Sequence, residues 1–172
     1  MLGRALAQKG DSTKAIKAYE RALHLQPDYL QAYVELGGMY DKAGRAEDAQ
    51  NIFFKYEKKV YELAGKLEKA ETAVEDKIHI LDVFSFVDDD RASAAILKAI
   101  ADADPLVRER AIYLALDFEL GDARPILETL AENDPNQRVR FAAKEALAGL
   151  SGAPTGAAAP TIVGEPKKAG TR

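Results

Sequence analysis

The sequence predicts an all-α fold, a right-handed solenoid of antiparallel helix pairs. Two periodicities predict it: matching residues recur 34 positions apart near the start of the chain, and a second pattern recurs 30 positions apart from residue 90 onward. Each period is the length of one helix–turn–helix unit, and such a unit buries its apolar face only by stacking on neighbours. No apolar run approaches the roughly 20 residues that a membrane-spanning helix needs.

The 34-residue period carries residues that helix pairs require. Gly3 and Gly37 lie where two helices can approach closely, and Gly10 and Gly44 fall after helix ends, where a left-handed residue is favoured. A second set of positions sets the period and the turns. The period is also carried by Ala15 with Ala49 and by Tyr19 with Phe53. Asp11 or Ser12 is expected to cap the second helix. Pro27 is expected to end that helix before Asp28 starts another.

This pattern resembles the tetratricopeptide repeat (TPR). The resemblance implies that the first helix of each pair lines a concave groove that binds a partner protein or peptide. The inward positions would then be Arg4, Gln8, Gln31, Val34, Glu35 and Asp41. TPR domains that grip a chaperone's C-terminal carboxylate carry asparagine where Glu35 stands, and a carboxylate there repels such a peptide. A chaperone tail is therefore disfavoured as the partner.

The first repeats are predicted to span residues 1–70. Leu2 already stands well inside a helix, so the first repeat is truncated and we expect Met1 to be an internal residue of a longer protein. Tyr61 replaces the proline of the first repeat, so the helix that begins near Ala46 can continue towards Lys69 as a long last helix. Gly65 inside it costs up to about 1 kcal/mol without preventing it.

The second repeats are predicted to span residues 71–150 and obey a different pattern. Ile96-Leu97 recurs as Ile126-Leu127, and Asp104-Pro105 as Asp134-Pro135. Val107-Arg108 recurs as Val139-Arg140, two residues late. Asp104 and Asp134 suit the position that caps a helix, with proline at its first residue.

This second pattern resembles the short HEAT-like repeats of phycobilin-lyase-related proteins, over residues 72–150. The resemblance implies that Arg108 and Arg140 bridge to aspartates of neighbouring repeats, the alternative being arginines that face a ligand. Arg110, Tyr113 and Asp117 share one helical face, which is either a partner contact or a solvated surface.

Two further segments complete the organisation. An apolar segment around residues 78–87 is expected to be buried on more than one side and to join the two repeat types rigidly. Residues 151–172 are rich in alanine, glycine and proline and are expected to form a disordered tail.

Composition excludes several kinds of site. The chain has no cysteine, so it has no disulfide, thiolate metal site or cysteine nucleophile. Residues 71–150 carry 9 Lys and Arg against 17 Asp and Glu, which argues against nucleic acid as the main partner. Glu75, His79 and Asp82 share a helical face, but such a trio commonly arises by accident, so no metal and no cofactor are predicted.

The sequence therefore favours a non-catalytic, cytoplasmic scaffold or adaptor that binds a partner on its concave surface. Two alternatives stay open: an accessory or regulatory segment of a larger enzyme, including one that resembles a bilin lyase, and a structural spacer. The sequence names neither the partner nor the pathway.

Overall fold

The computed structural model describes residues 2–150, which form nine α-helices and one 3₁₀ turn and no β-strand. The expected tail at 151–172 lies outside the described residues. The helices are α1 (Leu2–Gln8), α2 (Ser12–Leu25), α3 (Leu30–Lys42), α4 (Ala46–Glu68), α5 (Val74–Phe84), α6 (Asp90–Ala99), α7 (Pro105–Asp117), α8 (Arg124–Asn133) and α9 (Gln137–Leu150), with the 3₁₀ turn at Gly121–Ala123.

The helices form two layers. Within the odd-numbered layer α7 packs between α5 and α9, and within the even-numbered layer α4 packs against α6. Short turns join consecutive helices into pairs, and one apolar core runs between the layers from Ala15 to Leu150. This arrangement confirms the all-α solenoid that the periodicity predicts.

The turns of the first repeats depend on two left-handed glycines. Gly10 has a φ of 81° and Gly44 a φ of 71°, a region that other residues enter only with strain. Each glycine lets the next residue close the helix end, so that Arg45 N–H donates to the Tyr40 carbonyl at 2.9 Å. Asp11 caps α2 by accepting from Lys14 N–H at 3.1 Å.

Gly3 and Gly37 lie at points of close helix approach. A Cβ built on Gly3 would lie 2.9 Å from the Tyr19 ring, and one on Gly37 would overlap the Phe53 ring. Ala15 and Ala49, the other small residues of the period, are buried at 0% and 2% exposure. The short side chains at these positions thus set the distance between helices.

The start of α3 differs from the expectation. Asp28 does not start the helix, which begins two residues later at Leu30. The Asp28 carboxylate instead accepts from Lys59 Nζ of α4 at 3.2 Å, and the Pro27 carbonyl accepts from the Tyr33 hydroxyl at 3.0 Å. These two contacts keep Pro27 and Asp28 in the turn between α2 and α3, so α3 begins only at Leu30.

The 23-residue helix α4 connects the two kinds of repeat. It runs through Gly65, and its buried side includes Val60 and Leu63. The Tyr56 hydroxyl donates to Asp89 at 3.0 Å, and Asp89 in turn caps α6 by accepting from Arg91 N–H at 2.9 Å. Burial, with the charge of Asp89 next, raises the pKa of Tyr56, so the hydroxyl stays a donor.

The apolar junction segment is buried, with one exception. Ile80, Leu81 and Phe84 are at most 3% exposed, and Val87 is 7% exposed. The expectation is wrong for Phe86, which is 71% exposed. Because α5 ends at Phe84, Phe86 falls in the turn to α6 and leaves the helical face that packs on the core.

Buried ion pairs tie successive odd-numbered helices to the turns beside them. Lys77 of α5 donates to Asp102 at 2.6 Å. Arg108 of α7 forms a two-bonded pair with Asp134, through Nε at 2.8 Å and Nη2 at 2.9 Å. The side chains of this second pair are 10% and 2% exposed, so the charges are almost fully withdrawn from water.

The role expected for Asp134 as a helix cap is wrong. Its carboxylate accepts from Asn136 N–H at 2.8 Å, just as that of Asp102 accepts from Asp104 N–H at 2.9 Å. Asn136 then caps α9 by accepting from Arg138 N–H at 2.9 Å, the role that Asp104 plays for α7 with Leu106 N–H. Asp134 therefore corresponds to Asp102, and Val139 follows it by five residues as Val107 follows Asp102. The two extra residues lie before Asp134, where α8 continues to Asn133.

The bridge expected for Arg140 is also absent from the described part of the chain. Its Nη1 donates to the carbonyls of Asp134 and Pro135 at 2.6 and 3.2 Å. Arg108 Nη1 makes the same two bonds to Asp102 and Ala103, both at 2.9 Å. Arg140 thus repeats the backbone contacts of Arg108 but forms no ion pair at bonding distance within residues 2–150, although its charge acts on the Asp134 carboxylate of the same turn.

Neighbouring glycines of α3 provide a matched test of the close approach. We expect Gly37→Ala to be at least about 1 kcal/mol less stable than Gly38→Ala, because the added methyl must displace the Phe53 ring only at position 37. A Cβ at Gly38 meets nothing within 4 Å and reduces the freedom of the unfolded chain. Urea denaturation of both variants measures the difference, and equal stabilities would contradict the close approach.

The buried pair should matter far more than an exposed one. We expect Arg108→Ala to lower the free energy of unfolding by about 3–5 kcal/mol, since it leaves the Asp134 charge buried and unpaired. Arg110→Ala removes a pair with Asp82 whose side chains are 33% and 51% exposed, and should cost less than about 1 kcal/mol. Denaturation of the two variants compares them, and similar losses would show that burial does not decide the effect.

The same pair predicts a dependence on pH. Burial opposes ionisation of Asp134, but bonds from Arg108 and Asn136 N–H outweigh it and lower the pKa of Asp134. A carboxyl with a lowered pKa stabilises the fold above its unfolded value of about 3.9, and this contribution is lost as pH falls through the folded value. We therefore expect the stability gap between the native chain and Asp134→Asn to narrow below about pH 4. Denaturation midpoints between about pH 7 and pH 3 measure the gap, and a constant gap would contradict the assignment.

Candidate functional site

The odd-numbered helices present one surface, here called the inner face, which contains the residues predicted to bind a partner. Arg4 of α1 and Glu35 of α3 meet on it, with Arg4 Nη2 2.6 Å from Glu35 Oε1. The guanidinium and carboxylate are 50% and 33% exposed, so the pair is solvated and contributes little to stability. Two predicted contact residues therefore satisfy each other across neighbouring helices.

The inner face of the second repeats is joined in the same way. Arg110 of α7 reaches Asp82 of α5 at 2.7 Å. The Tyr113 hydroxyl donates to Glu145 of α9 at 3.1 Å, and burial together with this bond raises the pKa of Tyr113. A further pair, Arg138 with Glu109 at 3.0 Å, also spans α7 and α9. Polar bridges thus connect α5, α7 and α9.

The other predicted contact residues lie on the odd-numbered helices without such a bridge. Val34 is 46% exposed. Gln31 is partly buried at the start of α3. The remaining three, Gln8, Asp41 and Asp117, are exposed at or near the C-terminal ends of α1, α3 and α7.

A first cleft of about 350 Å³ lies between α1, α2 and α3. Arg4, Gln31 and Glu35 are among its lining residues, and Tyr19 forms part of its wall. The Tyr19 hydroxyl is buried and has no hydrogen-bond partner among residues 2–150. Burial raises the pKa of Tyr19, with the Glu35 charge acting in the same direction and Arg4 against it.

A second cleft, here called the junction cleft, lies between the start of α3 and the second half of α5. It also has a volume of about 350 Å³ and interrupts the inner face at the place where the two repeat types meet. Both apolar and polar side chains line it: Tyr29, Leu30, Val83 and Phe86 are apolar or aromatic, and Gln26, Asp28, Gln31, His79 and Asp82 are polar.

The sequence missed the junction cleft because its two walls are about 50 residues apart along the chain. Of the residues predicted to bind a partner, Gln31 alone lies in its lining. His79 and Asp82 stood out as a possible metal trio with Glu75, yet within residues 2–150 no three His, Asp or Glu side chains are placed to hold a metal ion. Phe86 carried a usable signal, since an aromatic residue just beyond a helix end has no helical face to bury it.

None of the helices within residues 2–150 is both long and apolar enough to cross a membrane. The inner face of the described residues therefore has two features: polar side chains that pair between neighbouring helices, and two clefts.

Comparison with known families identifies both kinds of repeat. Residues 3–44 match the model for a TPR repeat, and residues 67–158 match the model for HEAT repeats. No curated protein and no solved structure matched the chain. The second match covers more than half of the sequence, and the fold described above agrees with it. The chain is a member of the HEAT-repeat family that carries a TPR repeat ahead of its HEAT repeats.

Proposed function

We propose that the chain is a non-catalytic scaffold that binds a partner protein or peptide on its inner face, with an apolar side chain of the partner held in the junction cleft. TPR and HEAT repeats commonly serve as protein-interaction scaffolds, which supports the general role. The observation that carries the specific site is the junction cleft itself, with the exposed Phe86 at its edge.

The cleft has the size and lining of a side-chain pocket. Its volume of about 350 Å³ lies at the lower end of the range found for ligand pockets. Tyr29 and Phe86 offer aromatic surface, and aromatic residues are enriched in the buried cores of protein interfaces. The polar residues around them provide hydrogen bonds that fix the orientation of a bound chain.

The charge of the surrounding face indicates the chemistry of the partner. Glu75, Asp117 and Glu145 are exposed on the odd-numbered helices of the second repeats. Residues 71–150 as a whole carry more Asp and Glu than Lys and Arg, and this excess negative charge disfavours binding of a nucleic acid. A partner segment that carries Lys or Arg next to an apolar anchor complements it.

A binding role also agrees with the absence of a catalytic or metal-binding cluster among residues 2–150. General acid–base or metal catalysis needs titratable groups held close together. The two histidines, His24 and His79, lie in different repeats, and His, Asp and Glu side chains of residues 2–150 do not assemble into a metal site. The inner face thus supports recognition better than it supports a reaction.

A variant at the cleft edge tests the proposal. We expect Phe86→Ser to weaken binding of a native partner by about 10- to 100-fold, because an aromatic wall that contacts the partner's buried apolar side chain contributes about 2 kcal/mol. The full chain is used to capture partners from cells of its source organism, and quantitative mass spectrometry compares the native and variant chains. Thermal melts check that both are folded.

Tyr61→Ser is the matched control for this experiment. Tyr61 lies on the even-numbered helix α4 and is 72% exposed, against 71% for Phe86. A partner lost with Phe86→Ser and retained with Tyr61→Ser supports the cleft. If every captured protein survives Phe86→Ser, Val34→Ser and Tyr113→Ser alike, the inner face is not the binding surface and the proposal fails.

A further inference from the structure

Residues 161–168, here called the tail segment, have the chemistry that the junction cleft suits. Between residues 151 and 172 the only bulky apolar side chains are those of Ile162 and Val163. Lys167 and Lys168 follow within six residues of Ile162, so an apolar pair stands close to two cations. An apolar anchor beside Lys or Arg is the pattern that complements the acidic region around the cleft.

The end of α9, from which the tail segment departs, lies at the same end of the molecule as the end of α7. The two helices meet near their starts, where Arg138 pairs with Glu109 at 3.0 Å. They meet again near their ends, where a Cβ built on Gly149 would overlap the Leu116 side chain. α7 and α9 therefore run in the same direction and end side by side.

α5 runs in this direction too. Lys77, in the first half of α5, meets Asp102 in the turn before α7 begins, and Asp82, in the second half, meets Arg110 within α7. The second half of α5 forms one wall of the junction cleft. The cleft and Leu150 thus lie towards the same end of the odd-numbered helices.

The tail segment is long enough to reach the cleft. Packed helices lie about 8–10 Å apart, so α5 is about 20 Å from α9 with α7 between them. Ile162 is 12 residues beyond Leu150, and 12 extended residues span about 40 Å. Residues 151–163 carry no charge, so none of them is repelled by the acidic side chains of the second repeats.

Carboxylates stand beside the cleft where the two lysines of the tail segment can reach them. The Asp82 side chain is 51% exposed even though it pairs with Arg110. Asp88 follows Phe86 by two residues, is exposed, and forms no ion pair with another residue of 2–150. Five or six extended residues separate the lysines from Ile162 and span at most about 20 Å, so the anchor and the cations can bind together.

We infer that the chain's own tail segment occupies the junction cleft, with its apolar pair against Phe86 and its two lysines beside Asp82 and Asp88, and that a partner must displace it. The inference rests on the proposed function, because the cleft must be a pocket for an apolar anchor beside a cation. A segment tethered by a short linker has an effective concentration on the order of millimolar, so even a weak contact fills part of the clefts. The apparent affinity for the partner then falls in proportion to the fraction of chains whose cleft is open.

A spin label on the full chain tests this contact without any partner. The chain has no cysteine, so Ala169→Cys creates a single attachment point directly after the tail segment. We expect the label to broaden the backbone amide signals of Val83 and Phe86 in nuclear magnetic resonance spectra, relative to the same sample with the label reduced. The signal of Gly44, beyond the far end of α3, should stay sharp, because broadening falls steeply with distance.

A matched pair of variants of the labelled chain assigns the contact to the apolar anchor. Ile162→Ser with Val163→Ser removes the anchor, and we expect the broadening of the two cleft signals to be lost. Ala157→Ser with Ala158→Ser also introduces two serines but leaves the anchor in place, so the broadening should persist. The spectra themselves show that each variant is folded. Equal broadening in the two variants, or none in the labelled chain without further substitution, overturns the inference.

A mixing experiment separates a contact within one chain from a contact between copies. The spin label is placed on a chain without isotope, which is mixed with isotope-labelled chain that lacks the cysteine. We expect the signals of Val83 and Phe86 to stay sharp in this mixture. Broadening as strong as in the singly labelled chain would show that the tail segment binds a second copy, and it overturns the inference.

Partner capture then distinguishes failure of this inference from failure of the proposed function. We expect Ile162→Ser with Val163→Ser to raise several-fold the capture of a partner that Phe86→Ser loses, because the cleft is then open in every chain. Unchanged capture of such a partner overturns the inference and leaves the proposed function standing. The proposed function instead fails when no captured protein depends on Phe86 or on the other residues of the inner face.

Discussion

The buried pair between Arg108 and Asp134 is the contact on which the arrangement of the second repeats depends. Two charges that are almost fully withdrawn from water stabilise a fold only when their geometry is fixed, and here each carboxylate oxygen has its own guanidinium nitrogen. Both hydrogen bonds can form in only one position of α9 relative to α7, so the pair stabilises that position over others. Apolar packing alone, with alanine and leucine along these helices, would tolerate a range of sliding positions.

The inner face follows from this alignment. Once α5, α7 and α9 lie in register, polar side chains one helix apart come within hydrogen-bond distance, as Arg110 and Asp82 do. The face is thereby stiffened by contacts that each contribute little alone. At the junction no such pair spans α3 and α5, and a cleft remains there. The proposed binding site is thus a consequence of joining two repeat types with different spacing.

The junction cleft is distinguished by its chemistry as well as by its place in the fold. The junction cleft combines aromatic walls with an acidic surrounding and suits an apolar anchor on a basic segment.

The sequence alone determined the helices, the two repeat types and the positions of the left-handed glycines, because periodicity and turn chemistry are local properties. The resemblance to HEAT-like repeats also implied that Arg108 meets an aspartate, with a ligand-facing arginine as the alternative. The sequence misplaced the cap of α9. The Asp-Pro pair recurs at a spacing of 30 and so matches Asp134 with Asp104, whereas in the structure Asp134 corresponds to Asp102 and Asn136 is the cap. Only the tertiary structure decided which polar residues of the inner face pair, that Phe86 stays exposed and that a cleft separates α3 from α5. Those features depend on distances between segments far apart in the chain, which no local pattern encodes.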